Sequence, residues 1–358
     1  MSIFSKEISQ VVSAASRITG GGLYDAPWYL VVGEPRTGRS TVIRTMNLTW
    51  QGDPQIQLGP TALNTYWAAR EAVLIEAGDR ICGPNRNPDF LRELCEELKR
   101  TRPREPLDGI LLVVSATDVA ELGEEPLQNH AQALRGYLTE VYRTIGTEIP
   151  VYIVVNRYDT LWGFAEVFAW GPDRAKEEAW GFVVPPDTQS QNTWPKIEEG
   201  LAGLAARIEA LCLTKVSSED HVELRIRAFQ HLSESRLFVE KLREVLKVVG
   251  FSSRYERAPW IRALIVGSAV PGIGDRIRAC IARFSNMGLM QNPYDQARAT
   301  RPGGLPVFSF MRTTVLPEKE LVPLKVRWRD DVATMVGLVL GSLLVITGIV
   351  TYFLWLYK

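Results

Sequence analysis

Gly33-Glu34-Pro35-Arg36-Thr37-Gly38-Arg39-Ser40-Thr41 is the stretch that decides the fold of this chain. The apolar run Trp28-Tyr29-Leu30-Val31-Val32 leads into it, and a short helical segment from Thr41 to Met46 leads out. Strand, glycine-bounded loop and helix in that order make a phosphate-binding loop. Its glycines let successive N–H groups turn inward toward phosphate oxygens, and the helix N-terminus adds partial positive charge. In a working loop of this kind a lysine reaches the β- and γ-phosphates and a hydroxyl, here Ser40, helps to hold magnesium. Arg39 stands at the lysine position. It keeps the charge, but its planar fork is larger than an ammonium and is not a neutral replacement. A bland role for Arg39 is to pair with Glu34 or Glu76 and so fill the phosphate site with its own side chain.

Working outward, the runs Tyr29–Val32, Val73–Ile75, Ile110–Val114 and Val151–Val155 are rich in leucine or β-branched residues and too short for buried helices. The stretches Leu91–Lys99 and Leu127–Thr144 between them carry apolar residues at i, i+3 and i+4. Strands alternating with helices predict a parallel sheet covered on both faces. Residues 164–257 change character, with the long helical patterns Ile197–Leu213 and His221–Val249, and read as an all-α insertion. Ile261–Val266 then reads as a further strand, followed by a helix over Ile273–Phe284.

Two fragments after later strands point to guanine. Asn156-Arg157-Tyr158-Asp159 follows the strand Val151–Val155, where GTP-binding proteins carry Asn-Lys-x-Asp. There the aspartate accepts from the ring N–H and amino group while the lysine stem packs on the base. Asn156 and Asp159 are present, and Arg157 again replaces lysine. Gly267-Ser268-Ala269 follows the strand Ile261–Val266, where Ser268 and Ala269 match a pair that contacts the guanine carbonyl. Asp159 as a simple helix cap is the structural alternative. The candidate ligand is GTP or GDP with Mg2+, the alternative being none; the residues that would hold it are Gly33, Gly38, Arg39, Ser40, Thr41, Asn156, Arg157, Asp159, Ser268 and Ala269.

The metal half is weak. The strand Val73-Leu74-Ile75-Glu76-Ala77-Gly78-Asp79 should end in an aspartate that holds magnesium, followed by a glycine that senses the γ-phosphate. Aligning on Gly78 puts Ile75 at the metal position, and aligning on the strand end puts Glu76 there and displaces the glycine, so the candidates are Ser40 and Glu76. Metal-assisted phosphoryl transfer needs the cation to neutralise developing charge. Arg39 and this strand end argue against efficient hydrolysis, so no catalytic residue is assigned.

The formal net charge of zero over 358 residues supplies no field that would recruit nucleic acid. The four cysteines, Cys82, Cys95, Cys212 and Cys280, show no metal-ligand spacing, and three of them read as buried small hydrophobes. The lone histidines His130, His221 and His231 lie in helical patterns and form no cluster. Apolar positions at Phe4, Ile8, Val11, Val12, Ala15 and Ile18 make residues 1–20 an amphipathic helix. It packs on its own domain or lies on a membrane surface.

Val332–Leu356 contains no charged residue and is long enough to cross a bilayer. Lys325, Arg327 and Arg329 precede it, while Tyr352, Trp355 and Tyr357 crowd its far end. By the positive-inside rule the bulk of the chain is cytoplasmic, so the expectation is a tail-anchored, single-pass membrane protein. Gly337 and Gly341 at small-xxx-small spacing hint at a homo-oligomer. The domains expected are a GTPase-like unit (21–163 with 258–290), the insertion (164–257), a pre-membrane segment (291–331) and the span (332–356).

Several segments resemble the IcmF/TssM family of bacterial type VI secretion systems. They are Pro27-Trp28-Tyr29-Leu30-Val31-Val32-Gly33; Arg102-Pro103-Arg104-Glu105-Pro106-Leu107-Asp108-Gly109-Ile110-Leu111-Leu112; Pro150-Val151-Tyr152-Ile153-Val154-Val155-Asn156; Trp180-Gly181-Phe182; and Val307-Phe308-Ser309-Phe310-Met311-Arg312 running to Leu316-Pro317-Glu318. The resemblance implies an inner-membrane component of a secretion complex with a DotU/TssL-type partner. It also implies an N-terminal membrane hairpin and a periplasmic region, neither of which is expected within these residues. The combined expectation is a membrane-anchored scaffold that docks cytosolic components, with a GTP-binding switch as the alternative.

Overall fold

The computed structural model describes residues 3–58, 62–83, 86–168, 179–188, 193–251, 258–268 and 310–322. The strands are β1 Trp28–Val32, β2 Trp50–Gln55, β3 Thr65–Ala69, β4 Val73–Glu76, β5 Gly109–Ser115, β6 Pro150–Asn156, β7 Trp180–Val183 and β8 Trp260–Val266. The helices are α1 Ile3–Thr19, α2 Arg39–Arg44, α3 Asp79–Cys82, α4 Pro88–Thr101, α5 Ala116–Glu121, α6 Glu124–Ile145, α7 Phe164–Phe168, α8 Thr193–Ser218 and α9 Val222–Val249. All eight strands join in the order β2-β3-β4-β1-β5-β6-β8-β7. The central β4-β1-β5-β6-β8 block is parallel, and β3, β2 and β7 add antiparallel edges. This is a doubly wound sheet, a fold in which ligands generally bind beyond the carboxyl ends of the parallel strands.

Strands β1, β5 and β6 are buried at every position, as parallel strands covered on both faces must be. One face carries Leu30, Val32, Ile110, Leu112 and Ile153 and packs against α1, α4, α6 and α9. The first of these helices settles the two readings of residues 1–20: Phe4, Ile8 and Val11 are fully buried in this core. Its Glu7 carboxylate also accepts from Leu63 N–H at 3.0 Å and from the Tyr66 hydroxyl at 2.8 Å. The opposite face carries Tyr29, Val31, Leu111, Val113, Tyr152 and Val154. It is covered by α2 and by Phe310, Met311 and Val315.

Residues 310–322, expected as part of a pre-membrane segment, are therefore a strap on the sheet. Tyr29 donates its hydroxyl to Val315 O at 3.1 Å, and Tyr152 donates to Glu318 Oε2 at 2.8 Å. The Arg262 guanidinium, 1% exposed, donates from Nε to Glu318 Oε2 at 3.2 Å and from Nη2 to Oε1.

One expectation is corrected: the insertion is not all-α. Trp180–Val183 forms β7 and pairs with β8 through Trp180↔Val266 and Phe182↔Leu264. No helix among the described residues is long and apolar enough to cross a membrane. The expected span Val332–Leu356, Gly337 and Gly341 lie outside the described residues, as do Ala269, Cys280 and Ile273–Phe284.

At the amino end of β5, Arg102 is fully buried between the rings of Tyr24 and Trp28, 5.2 and 5.1 Å from their centroids. It donates to Asp108 Oδ2 at 3.1 Å, and the same oxygen accepts from Trp28 N–H at 2.7 Å. Glu105 hydrogen-bonds Asp108, and burial followed by that neighbouring carboxylate pushes its pKa up to about 7, against the opposing pull of Arg102.

Two predictions follow from these contacts. Truncating Glu318→Ala leaves the Arg262 charge buried without its partner, so stability should fall by about 3–5 kcal/mol, read from urea unfolding. At the other site, a carboxyl whose folded pKa is raised binds more protons folded than unfolded. Stability should therefore fall as pH rises from the ordinary glutamate range to about 7. Glu105→Gln, neutral at every pH, should flatten that part of a Tm-against-pH curve.

Candidate functional site: a glycine-bounded loop filled by its own arginine

Residues Gly33 to Ser40 link the carboxyl end of β1 to α2, and close packing explains both glycines. A Cβ at Gly33 would sit 2.3 Å from Val113 O in β5. Gly38 holds φ +83°, and a Cβ there would lie 2.5 Å from Asn156 Nδ2. Arg36 also takes a left-handed φ of 67°, uncommon for a residue with a side chain. The loop is braced inside by Thr37 Oγ1, which donates to Glu34 O at 2.9 Å.

Arg39 is only 7% exposed and is turned back onto its own loop. Nη1 donates to Gly33 O at 2.9 Å, Nε lies 4.0 Å from Glu76 Oε1, and Nη2 lies 3.5 Å from Asp79 Oδ1. Glu76, at the end of β4, is the acceptor around which the site is built. Its Oε1 accepts from Ser40 Oγ at 2.7 Å, and its Oε2 accepts from Trp67 Nε1 at 3.0 Å. The sequence paired Ser40 with Glu76 as metal ligands, and the fold does bring them together. Their environment does not fit a magnesium ion. Both carboxylate oxygens are already engaged, and the cation beside them is a guanidinium. Among the described residues, no group of three or more histidine, cysteine, aspartate or glutamate side chains could hold a metal. The Gly78 N–H, which takes the sensor position only in the alignment that puts Ile75 at the metal position, is likewise engaged and donates to Asn64 Oδ1 at 3.1 Å.

The base-reading end is assembled differently. Ser115 and Asn156 pair across β5 and β6, and Asn156 Nδ2 donates to Thr37 O at 2.8 Å, fastening this strand end to the loop. Gly267 N–H donates to Val155 O at 2.7 Å and Tyr158 N–H to Gly267 O at 3.2 Å, so the two fragments expected to read guanine converge. Asp159 is hydrogen-bonded by Ser268. Burial raises its pKa, while Ser268 and Arg157 pull the other way. Arg157 sits in the left-handed region at φ 64°. Thr41 lies in the first turn of α2.

Several participants escaped the sequence reading. Lone His130 contacts Glu34 Oε2 through Nδ1 at 2.6 Å, tying α6 to the loop. Cys82 is buried against Gly33 N–H and Arg39, with burial as the main force raising its thiol pKa. Trp67 and Asn64 belong to a strand and loop with no motif to mark them. The other buried histidine, His231, lies in the core. Burial lowers its pKa to about 4, its Nδ1 lies 2.9 Å from Trp162 O, and the rings of Tyr158, Phe164 and Phe168 surround it.

A doubly wound, mostly parallel sheet with a glycine-bounded loop after β1 defines the fold class, and comparison with known proteins supplies the family. The IcmF-related N-terminal domain matches residues 85–342, and this chain belongs to that family. It is 24% identical over 279 residues to the type VI secretion system component TssM1 of Pseudomonas aeruginosa, across 74% of this chain. The match spans 25% of that relative's length. Among solved structures, the chain is similar to the signal recognition particle receptor SRb-GDP-Mg from Chaetomium thermophilum. That match has 15% identity and a TM-score of 0.25, covering 37% of this chain and 64% of that one. A second is the small COPII coat GTPase SAR1 from Encephalitozoon cuniculi in complex with GDP, at 11% identity and a TM-score of 0.27, covering 67% and 90%. The fold assignment rests on the strand order itself.

The network predicts a sharp contrast between two neighbouring carboxylates. Glu76→Ala strips Arg39, Ser40 and Trp67 of a shared buried acceptor and should lower the unfolding free energy by about 3–5 kcal/mol. Asp79→Ala removes a side chain that is 80% exposed, and should change it by no more than about 0.5 kcal/mol. Urea titrations followed by tryptophan fluorescence compare the two.

Proposed function

We propose that this chain is a membrane-anchored scaffold of a type VI-like secretion complex, built on a P-loop domain that does not turn nucleotide over. The observation that carries the reading is the Arg39–Glu76–Ser40–Trp67 network, which occupies the phosphate and metal end with internal partners. Phosphoryl transfer depends on a cation that neutralises developing charge and on donors aimed at the transferred group. Here the hydroxyl, the strand-end carboxylate and the sensing N–H are all committed elsewhere. Membership of the IcmF-related family supports a place among secretion subunits, with a DotU/TssL-type protein as the partner class. The uncharged stretch Val332–Leu356, preceded by Lys325, Arg327 and Arg329, supports anchoring in a bacterial inner membrane with this domain on the cytoplasmic side.

A second reading, a GTP-binding switch, draws on one specific observation. Asp159, Ser268 and Asn156 remain arranged at the base-reading end. Nucleotide could enter there only if Arg39 were displaced from Gly33 O.

Calorimetry of GTP and GDP with the detergent-solubilised chain, with and without magnesium, separates the two. The scaffold reading expects no magnesium-dependent binding and no GTP hydrolysis in the unaltered chain. Magnesium-dependent hydrolysis that Asp159→Ala abolishes would overturn it in favour of the switch.

A further inference from the structure

Helix α9 is apolar on two sides. Ala228, His231, Ser235, Phe238 and Leu242 form its buried face, against α5, α6, α7 and α8. On the opposite side Val222, Ile226, Phe229 and Leu237 are 58%, 53%, 56% and 50% exposed. With Ser233 between the last two, they follow a spacing of four, three, four and four residues, which keeps them in one straight stripe at 3.6 residues per turn. The described residues leave this stripe uncovered. Single exposed apolar residues need no explanation, but four in line mark an interaction surface.

The charges beside the stripe say what covers it. On helical geometry Glu223 and Glu234 fall along one edge, and Arg225 and Arg236 along the other, each about a quarter-turn from the stripe. These are the places that e and g positions take in a coiled coil. When two such helices lie parallel, related by a two-fold axis along their length, the acidic edge of each faces the basic edge of the other. Glu223 then meets Arg225 of the second copy, and Glu234 meets Arg236, on both sides of the seam. An antiparallel pair would set acid against acid and base against base.

We infer that the exposed face of α9 is a self-association surface, where a second copy of this chain packs its own α9 in parallel and in register. Phe229 stacks on its counterpart near the centre of the seam, and Ser233 leaves room for the two rings. Arg236 now pairs with Glu209 on the surface at 2.6 Å. Exchanging one solvent-exposed partner for another costs little. This inference stands apart from the nucleotide question, since α9 carries none of the phosphate-loop residues.

Sedimentation velocity of the full chain in detergent tests it. The unaltered protein should show a concentration-dependent dimer, and Phe229→Asp should weaken it by about 100-fold while leaving far-UV circular dichroism and Tm unchanged. Two edge variants add a specificity test. A chain with Glu223→Arg and Glu234→Arg has two basic edges, and one with Arg225→Glu and Arg236→Glu has two acidic edges. Each alone should be monomeric, and an equimolar mixture should dimerise. For orientation, Val222→Cys should form a disulfide with its own copy in a parallel pair, whereas an antiparallel pair would require a mixture with Leu237→Cys. A chain that stays monomeric up to about 100 µM overturns the inference. So does a dimer that Phe229→Asp leaves unchanged, which would place association elsewhere, or crosslinking in the mixed pattern alone.

Discussion

A parallel sheet buried on both faces has to be covered twice, and most of this structure answers that constraint. Helices α1, α4, α6 and α9 cover one face, with Leu30, Leu112 and Ile153 beneath them. The other face would be partly bare if α2 were its whole cover, because α2 is only six residues long. Phe310, Met311 and Val315 supply the remainder, although they follow β8 by more than forty positions in the chain. Their docking is polar as well as apolar. Tyr29, Tyr152 and Arg262, from three different strands, all turn a polar group toward residues 315 and 318. The segment expected to lead toward a membrane is therefore part of the core. Strand β6 joins it to the site, since Tyr152 holds the strap and Asn156, four residues on, holds the phosphate loop.

The central strands were legible because burial on both faces forces near-continuous apolar sequence. β1, β4, β5, β6 and β8 each sit where such a run occurs. The edge strands were not legible, for the converse reason. β2 is Trp-Gln-Gly-Asp-Pro-Gln, with Gly52 and Pro54 that read as turn residues and are tolerated only because an edge strand has a free side. β7 is four residues long and takes its strand form from pairing with β8, a tertiary constraint invisible in the local pattern. Within the site, motif residues were found and their neighbours were not. Ser40, Glu76, Asn156, Asp159 and Ser268 have fixed places in a strand-loop-helix scheme. His130, Cys82, Trp67 and Asn64 reach the loop from elements whose packing no spacing rule describes.

The choice of arginine at position 39 has a geometric consequence. A guanidinium spreads its donors over a rigid planar fork, so Nη1 can hold Gly33 O while Nε faces Glu76 and Nη2 faces Asp79. An ammonium gathers its three donors on one atom and could not span those acceptors together. The fold-back is thus a property of the arginine itself. It also removes the need for a metal beside Glu76, because a buried carboxylate with a cation and two neutral donors is already compensated.

Survival of the base-reading residues has a structural account that does not involve a base. Asn156 is fully buried, and its amide closes onto Thr37 O directly over Gly38, so any larger or apolar group there would disturb the loop. Asp159 is satisfied by Ser268, which fastens the turn after β6 to the end of β8. Both are joints between neighbouring strand ends. The two halves of the site therefore differ in what their residues do unaided. At the end expected to read a base they brace the top of the sheet through bonds to their neighbours, and at the loop end they have closed on one another. The contact of Arg39 with Gly33 O is thus what closes the loop end, while Asn156 and Asp159 act at the other end as joints between strands.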